Sequence, residues 1–168
     1  LLATLEVAHP KDPLGAPARA RLLTGLAGHR GAPPLITTFH SLGVRLLREF
    51  HGTAGIPRGF SIWDQNDSTR AVKNILKQLD TEEWTPRQIL SAISREKGAG
   101  KSLREYRERA GNRREQTVAL VWERYEQGLK AEDSLDFDDL LVRTLALLRE
   151  SPETLSLLQS RWHYLTVD

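Results

Sequence analysis

The chain has 168 residues, with 24 Lys and Arg against 22 Asp and Glu and 39% hydrophobic residues. These values are typical of a globular domain and exclude a disordered tail, a collagen-like repeat and a low-complexity linker. Cysteine is absent, which excludes disulfides and thiolate zinc sites and favours a reducing, cytoplasmic location. No apolar run approaches the roughly 20 residues that cross a bilayer, so we expect no membrane partner.

The first 34 residues give the weakest signals. The chain begins with Leu1 rather than Met and carries no signal-peptide pattern, so we expect a piece of a longer protein. Leu1–Val7 is consistent with a short strand and Arg19–Leu26 with a short helix.

Two short segments predict strands. Leu35–Phe39 is β-branched and aromatic, and Tyr164–Val167 is an apolar run that ends at Asp168. Two lone strands cannot form a stable sheet. We therefore expect the β portion to be completed by other sequence or to be only partly formed.

The sequence between these strands is helical. Apolar spacing predicts a helix through Leu42, Leu46 and Leu47, and the clearest amphipathic segment is Arg114–Lys130. Capping residues predict further helix starts at Asp64 or Asp67, Thr85, Ser102, Asp136 and Ser151. The buried stripe of Arg114–Lys130 is predicted to contain Val118, Val121, Trp122, Tyr125 and Leu129. A later helix is predicted to run through Leu141, Leu145 and Leu148.

Gly98-Ala99-Gly100-Lys101-Ser102 superficially resembles a phosphate-binding loop. The full motif needs a glycine where Arg95 stands and a strand leading into it, whereas the pattern before Gly98 is helical. A helix end, a loop and the next N-cap explain this segment better.

The carboxylates of Asp136, Asp138 and Asp139 have two interpretations. Hard cations bind clustered carboxylates. An N-cap followed by acidic residues in the first helical turn is the favoured alternative, since the helix dipole stabilises anions there.

A basic stretch runs from Arg95 to Arg114. Arg104, Arg107 and Arg109 are its candidates for phosphate contact, and interleaved glutamates favour a solvated, salt-bridged face instead. Both interpretations stay open.

Two further residues follow predicted strands. His40 lies beside Thr38 and Ser41, but no glycine elbow or acidic partner supports a hydrolase. Both His40 and Asp168 nevertheless stand at carboxyl ends of strands, where open α/β sheets contact ligands.

Four separated motifs, taken together, closely resemble the UvrD/PcrA/Rep family of superfamily one DNA helicases. Their order and spacing match from about residue 35 to residue 168. The motifs are Ile36-Thr37-Thr38-Phe39-His40-Ser41-Leu42-Gly43-Val44-Arg45-Leu46-Leu47-Arg48, Phe60-Ser61-Ile62, Leu135-Asp136-Phe137-Asp138-Asp139-Leu140-Leu141 and Tyr164-Leu165-Thr166-Val167-Asp168.

The resemblance implies a mainly α fold, in which a helical subdomain is inserted into an incomplete RecA-like α/β domain represented by a few short strands. Residues 57–133, here called the insert segment, would be the helical subdomain 1B. Residues 35–56 and 134–168, here called the flanking segments, would belong to the RecA-like ATPase domain 1A. Residues 1–34 stay unassigned.

The resemblance also implies functional residues. Thr38, Phe39, His40 and Arg45 would lie on the single-stranded DNA track, and Asp168 would help to hold magnesium. The parent would be an ATP-dependent 3′-to-5′ helicase that acts on single-stranded and duplex-junction DNA together with the rest of its chain.

The departures from the family pattern concern catalysis. No glycine-lysine phosphate loop is present, and the glutamate expected after Asp168 is not in the sequence. Phosphoryl transfer needs positioned phosphates, metal and water together. We therefore expect no complete catalytic set, no tight ATP or magnesium binding and no activity from this chain alone. The alternatives are a stand-alone, non-enzymatic nucleic-acid-binding module and an inactive remnant.

Overall fold

A computed structural model describes residues 34–81 and 83–167 of the chain. This described part is mainly α, as expected. It contains, in chain order, α1 (Phe39–Glu49), β1 (Ser61–Ile62), α2 (Gln65–Gln78), α3 (Pro86–Gly98), α4 (Leu103–Arg109), α5 (Arg113–Ala131), β2 (Ser134–Leu135), α6 (Phe137–Glu150) and α7 (Pro152–Arg161). The strand predicted at Leu1–Val7, the helix predicted at Arg19–Leu26 and Asp168 lie outside the described residues.

Both predicted strands are wrong. Residues 35–38 and 164–167 are irregular, and Phe39 is already the first residue of α1. A strand is stable only when a neighbour accepts and donates its backbone hydrogen bonds, and no strand in residues 34–81 and 83–167 pairs with either segment. Phe39 and Val167 therefore do not lie on strands of one sheet in the described part of the chain.

The two-stranded sheet forms elsewhere. β1 and β2 are parallel, with Ser61 opposite Ser134 and Ile62 opposite Leu135. The N–H of Trp63 extends the ladder by donating to the carbonyl of Leu135 at 2.9 Å. This pairing places the two ends of the insert segment side by side.

The helix starts follow the predicted capping residues. Four of these starts are capping boxes, in which the side chain of the cap accepts a hydrogen bond from the backbone N–H of the residue three positions ahead. The side chain of that later residue accepts in turn from the backbone N–H of the cap. The four caps are Asp64, Thr85, Ser102 and Asp136. Each such pair satisfies two N–H groups that a helix leaves without partners. Ser151 caps α7 as predicted.

The larger hydrophobic core lies within the insert segment. Helices α2, α3, α4 and α5 contribute to it, and the predicted stripe of α5 is entirely buried. Trp122 is a core residue, as predicted, and its N–H donates to Glu126 at 2.9 Å. Trp63 and Trp84 pack against the same core from its margin.

A smaller core joins the flanking segments. Its buried members are Leu47, Ile56, Phe60, Leu135, Leu140 and Leu147. Helix α1 packs along α6, and the approach is close because Gly43 has no side chain. A Cβ at Gly43 would lie 2.8 Å from the carbonyl oxygen of Leu140.

The helix predicted through Leu141, Leu145 and Leu148 is present as α6, and its buried leucines are different ones. Leu140 and Leu147 are buried, whereas Leu141 and Leu145 are 39% and 46% exposed. Because several leucines of this helix fit a 3.6-residue period, apolar spacing alone cannot decide which stripe faces the core. Across the described ranges, no helix has both the length and the apolar character required to cross a bilayer.

Candidate nucleic-acid interface

The start of α1 carries the residues that the sequence put forward for DNA contact. Thr38 is the N-cap: its hydroxyl accepts from the Ser41 N–H at 3.2 Å and donates to the Ser41 hydroxyl at 3.0 Å. These residues therefore lie at a helix N-terminus and not at the end of a strand. Exposed N–H groups and the positive end of the helix dipole favour anions such as phosphate at that position.

Exposed aromatic side chains surround this helix start. Phe39 is 47% exposed, and Phe137, at the start of α6, is 51% exposed. The rings of His40 and Phe137 are in contact, with centroids 5.3 Å apart and planes tilted by 58°. The result is an aromatic edge composed of Phe39, His40 and Phe137, which offers faces on which nucleotide bases can stack.

Phe137 is the member of this edge that site reasoning from the sequence missed. In the sequence it stands out only as part of the family motif Leu135-Asp136-Phe137-Asp138-Asp139-Leu140-Leu141. The sequence feature that could have identified Phe137 is its position directly after the cap Asp136, because a side chain at the first position of a helix extends beyond the first turn. The structure brings Phe137 to His40 because Gly43 lets α1 and α6 approach closely.

Arg45 also belongs to the α1 surface. It is exposed and follows Ser41 by four residues and Thr38 by seven, so helical spacing aligns all three along one side of α1. A cation at that distance from the helix start could bind a second phosphate.

A groove with a mixed apolar and polar lining adjoins the aromatic edge. It has a volume of about 800 Å³ and is lined by Phe137 together with residues of α2, α3 and α5. Its polar lining includes Gln65, Ser68, Arg87, Ser91 and Ser94. The groove therefore connects the start of α6 with the helices of the insert segment.

A buried ion cluster lies behind the start of α6. Lys97 of α3 is only 5% exposed, although the sequence placed it in a solvated basic stretch. Its ammonium lies 2.9 Å from a carboxylate oxygen of Asp136, 2.9 Å from one of Asp139 and 3.2 Å from one of Glu126. The Asp136 and Asp139 carboxylates considered above as metal ligands thus bind a lysine.

Burial and charge act in opposite directions within this cluster. Burial alone would lower the pKa of Lys97, but Asp139, Asp136 and Glu126 outweigh it and raise that pKa above its usual range. Burial raises the pKa of Asp139 in spite of the attraction of Lys97, and the charge of Asp136 adds to the increase. The surrounding carboxylates therefore keep Lys97 in its charged form.

The candidate basic face on α4 consists of ion pairs. Arg104 binds Glu108 at 2.9 Å and Arg107 binds Glu123 at 2.6 Å. Arg109 binds Glu96 and also lies over the ring of Tyr106. These are the salt bridges of a solvated face, which is one of the two interpretations considered for this stretch.

The segment 98–102 forms a helix end and a helix cap, not a phosphate-binding loop. Gly98 ends α3, Gly100 turns the chain with φ +71°, and the Ser102 hydroxyl accepts from the Glu105 N–H as a helix cap. Within residues 34–81 and 83–167, no group of three or more His, Asp or Glu side chains could hold a metal ion. Asp168 lies outside those ranges.

Comparison with known proteins assigns the family. Residues 15–168 match the model of the UvrD/REP helicase N-terminal domain. The chain is 35% identical over 145 residues to an ATP-dependent DNA helicase PcrA of Staphylococcus epidermidis, covering 85% of this chain and 20% of that protein. It is 40% identical over 135 residues to the PcrA helicase of Bacillus subtilis, covering 79% of this chain and 18% of that protein. The chain thus spans about a fifth of the length of these relatives, and it belongs to the UvrD/REP helicase family, whose N-terminal domain it matches.

Proposed function

We propose that this chain supplies part of the single-stranded DNA track and the helical subdomain of an ATP-dependent 3′-to-5′ DNA helicase. The flanking segments, 35–56 and 134–168, would belong to its RecA-like ATPase domain, and the insert segment, 57–133, would be the inserted helical subdomain. The relatives that support this proposal are named as ATP-dependent DNA helicases. A cytoplasmic location and action at duplex junctions are part of the same proposal.

The aromatic edge at the start of α1 carries the proposal. Bases of a single strand would stack on Phe39 and Phe137, while phosphates would meet the N–H groups at the start of α1 and the side chain of Arg45. His40 lies against Phe137, so both helix starts would contact the same strand. Stacking on aromatic faces tolerates any base, which suits a protein that moves along DNA.

Two separate cores support the division into subdomains. The members of the larger core all fall between residues 63 and 129, within the insert segment. The smaller core draws on both flanking segments, with Phe60 and Ile62 at its border. Parallel pairing of β1 with β2 would bring the chain back into the ATPase domain next to the point where it left.

Exposed leucines on α6 and on α7 support the rest of a helicase chain as the partner. Leu141 and Leu145 are one helical turn apart on α6 and are well exposed, as is Leu157 on α7. Exposed apolar side chains in such a group are typical of a surface that another part of the protein covers. We propose that further strands and helices of the ATPase domain cover this surface.

ATP and magnesium would bind to the complete helicase. Asp168 would contribute to the magnesium site there, and the glycine-lysine phosphate loop would come from other sequence. We expect the isolated 168-residue chain to release no phosphate from ATP in the presence of magnesium and single-stranded DNA. Measurable turnover that follows the purified chain would refute the proposed division of the catalytic site.

The DNA contact is tested by fluorescence anisotropy with a labelled oligodeoxythymidylate. We expect Phe39→Ala to weaken binding by about 1–3 kcal/mol, the usual contribution of one base stacked on an aromatic ring. Leu120→Ala, which truncates an exposed apolar side chain of α5, is the matched control and should leave binding unchanged. Equal binding by wild type and Phe39→Ala would remove this edge from the DNA track.

The runner-up is a stand-alone module that binds nucleic acid through Arg104, Arg107 and Arg109. Their pairing with Glu108, Glu123 and Glu96 weighs against it, since each glutamate already neutralises one arginine. Salt-sensitive binding that survives His40→Ala and is lost on replacing the three arginines with glutamine would favour this module instead.

A further inference from the structure

The first turn of α6 is held at three points by one helix of the insert segment. Lys97 of α3 binds Asp136 and Asp139, each at 2.9 Å. Ser94, one helical turn earlier on α3, donates to Asp138 at 3.0 Å. Phe137 therefore lies between residues that are each bonded to α3.

Lys97 has little freedom to make other contacts. It is buried, and its ammonium also lies 3.2 Å from Glu126 of α5. Without that ammonium, Asp136, Asp139 and Glu126 would face one another as unpaired acids. Repulsion and desolvation would then push the start of α6 away from α3.

A shift of α6 at this point would act on the aromatic edge. The Phe137 ring contacts His40, and its backbone continues directly from Asp136. The smaller core holds α6 from Leu140 onward, through Leu140 and Leu147. Loss of the bonds from Lys97 would therefore displace Asp136 and Phe137 at the helix start, while the helix from Leu140 onward stays packed on α1.

We propose that Lys97 is a positioning residue of the DNA interface. By holding Asp136 and Asp139, it fixes Phe137 against His40, so the DNA contact formed by the flanking segments depends on α3 of the insert segment. This inference rests on the proposed function. Lys97 itself does not contact DNA in this arrangement.

The first test measures the ring contact without DNA. Nuclear Overhauser effects between the His40 and Phe137 rings are recorded for wild type, Lys97→Met and Lys101→Met. Lys101 is an exposed lysine just beyond the same helix, so its variant removes the same charge without touching the cluster. We expect the cross-peaks in wild type and Lys101→Met and their loss in Lys97→Met.

The second test measures oligodeoxythymidylate affinity for the same three proteins. We expect Lys97→Met to bind about fivefold more weakly or worse, which is the low end of typical coupling between two sites. Lys101→Met should bind like wild type. Lys97→Arg keeps the charge and should recover part of both the ring contact and the affinity.

The outcomes separate the two proposals. Retention of the ring contact and of wild-type affinity by folded Lys97→Met overturns the inference. If Lys97→Met does not fold, the double variant Lys97→Met/Asp139→Asn takes its place, since it removes the ammonium together with one of the carboxylates that the ammonium binds. Unchanged cross-peaks and affinity in that folded variant overturn the inference as well. An oligonucleotide that fails to bind wild type would overturn the DNA track, whereas the ring contact would still decide whether Lys97 positions Phe137.

Discussion

The insert segment and the flanking segments complete their cores to different degrees. Four helices of the insert enclose Trp122 and Tyr125, and its ends meet in the β1–β2 pair. The flanking segments bury a smaller set of side chains and leave Leu141 and Leu145 exposed. Their outer parts, residues 35–38 and 164–167, have no regular structure. The insert therefore satisfies its own apolar surface, and the flanking segments do not.

Under the proposed function, this difference marks the surfaces on which the rest of the ATPase domain would pack. Helices satisfy their backbone hydrogen bonds internally, so a group of helices can close a core from local sequence. Parallel strands depend on neighbours that come from distant sequence. The flanking segments, which we propose belong to a RecA-like domain, are thus the segments whose exposed leucines and irregular ends have no packing or strand partner among the described residues.

The largest effect should come from truncating the centre of the insert core. Trp122→Ala removes a side chain that is 2% exposed and should lower the free energy of unfolding by about 3–5 kcal/mol. Urea unfolding followed by far-ultraviolet circular dichroism measures the loss. Leu120→Ala, on the exposed side of the same helix, should change stability by less than about 0.5 kcal/mol. Similar losses in both variants would contradict the core assignment.

The second-largest loss of stability should come from the close packing of α1 on α6 at Gly43. Gly43→Ala places a Cβ 2.8 Å from the Leu140 carbonyl, so α1 must move away from α6. We expect a loss of about 1–3 kcal/mol and faster amide hydrogen exchange in α1. Gly52→Ala is the control, because a Cβ there meets nothing within 4 Å. Unchanged exchange in α1 of Gly43→Ala would argue against close helix packing.

A cap of the insert segment should contribute less. The Ser102 hydroxyl accepts from the Glu105 N–H at 3.2 Å, and Glu105 accepts from the Ser102 N–H at 2.7 Å. Ser102→Ala should cost about 1 kcal/mol and increase exchange at the start of α4. Ser156→Ala, within α7, provides a serine control that caps no helix. An effect of Ser102→Ala spread evenly over all helices would contradict a local cap.

The smallest effect concerns pH and the contact between α1 and α7. Glu49 accepts two hydrogen bonds from Arg161, which lower the pKa of Glu49 below its ordinary value of 4.5. Its contribution to stability is therefore present above pH 4.5 and is lost as the pH falls through the lowered pKa. Both side chains are partly exposed, so the contribution should be about 0.5 kcal/mol or less. The free energies of unfolding of wild type and Glu49→Gln should therefore become equal as the pH falls. A difference in stability that grows in acid would contradict the predicted direction of the pH dependence.

Helix starts and the main core were predictable from the sequence because their causes are local. Asp64, Thr85 and Ser102 cap helices through contacts within three residues, and the stripe of Trp122 and Tyr125 follows from helical spacing. The predicted strand at 35–39 failed because its stability depends on a partner. The β1–β2 pair was missed because two residues per strand give no periodic signal.

The site was predictable in part for the same reason. A motif located Thr38, Phe39 and His40 in the sequence, whereas the contact between His40 and Phe137 depends on how α1 packs on α6. The burial of Lys97 could not be foreseen, since its binding partners Asp136 and Asp139 lie about 40 residues away and the cations nearest to it in the sequence, Arg95 and Lys101, are exposed.

Photocrosslinking tests the central claim most directly. An oligodeoxythymidylate containing 5-iododeoxyuridine is irradiated with the 168-residue chain, and the modified peptides are identified by mass spectrometry. The account predicts adducts on Phe39, His40 and Phe137, the aromatic side chains that join the starts of α1 and α6. Adducts confined to α4, with none at these three residues, would contradict it.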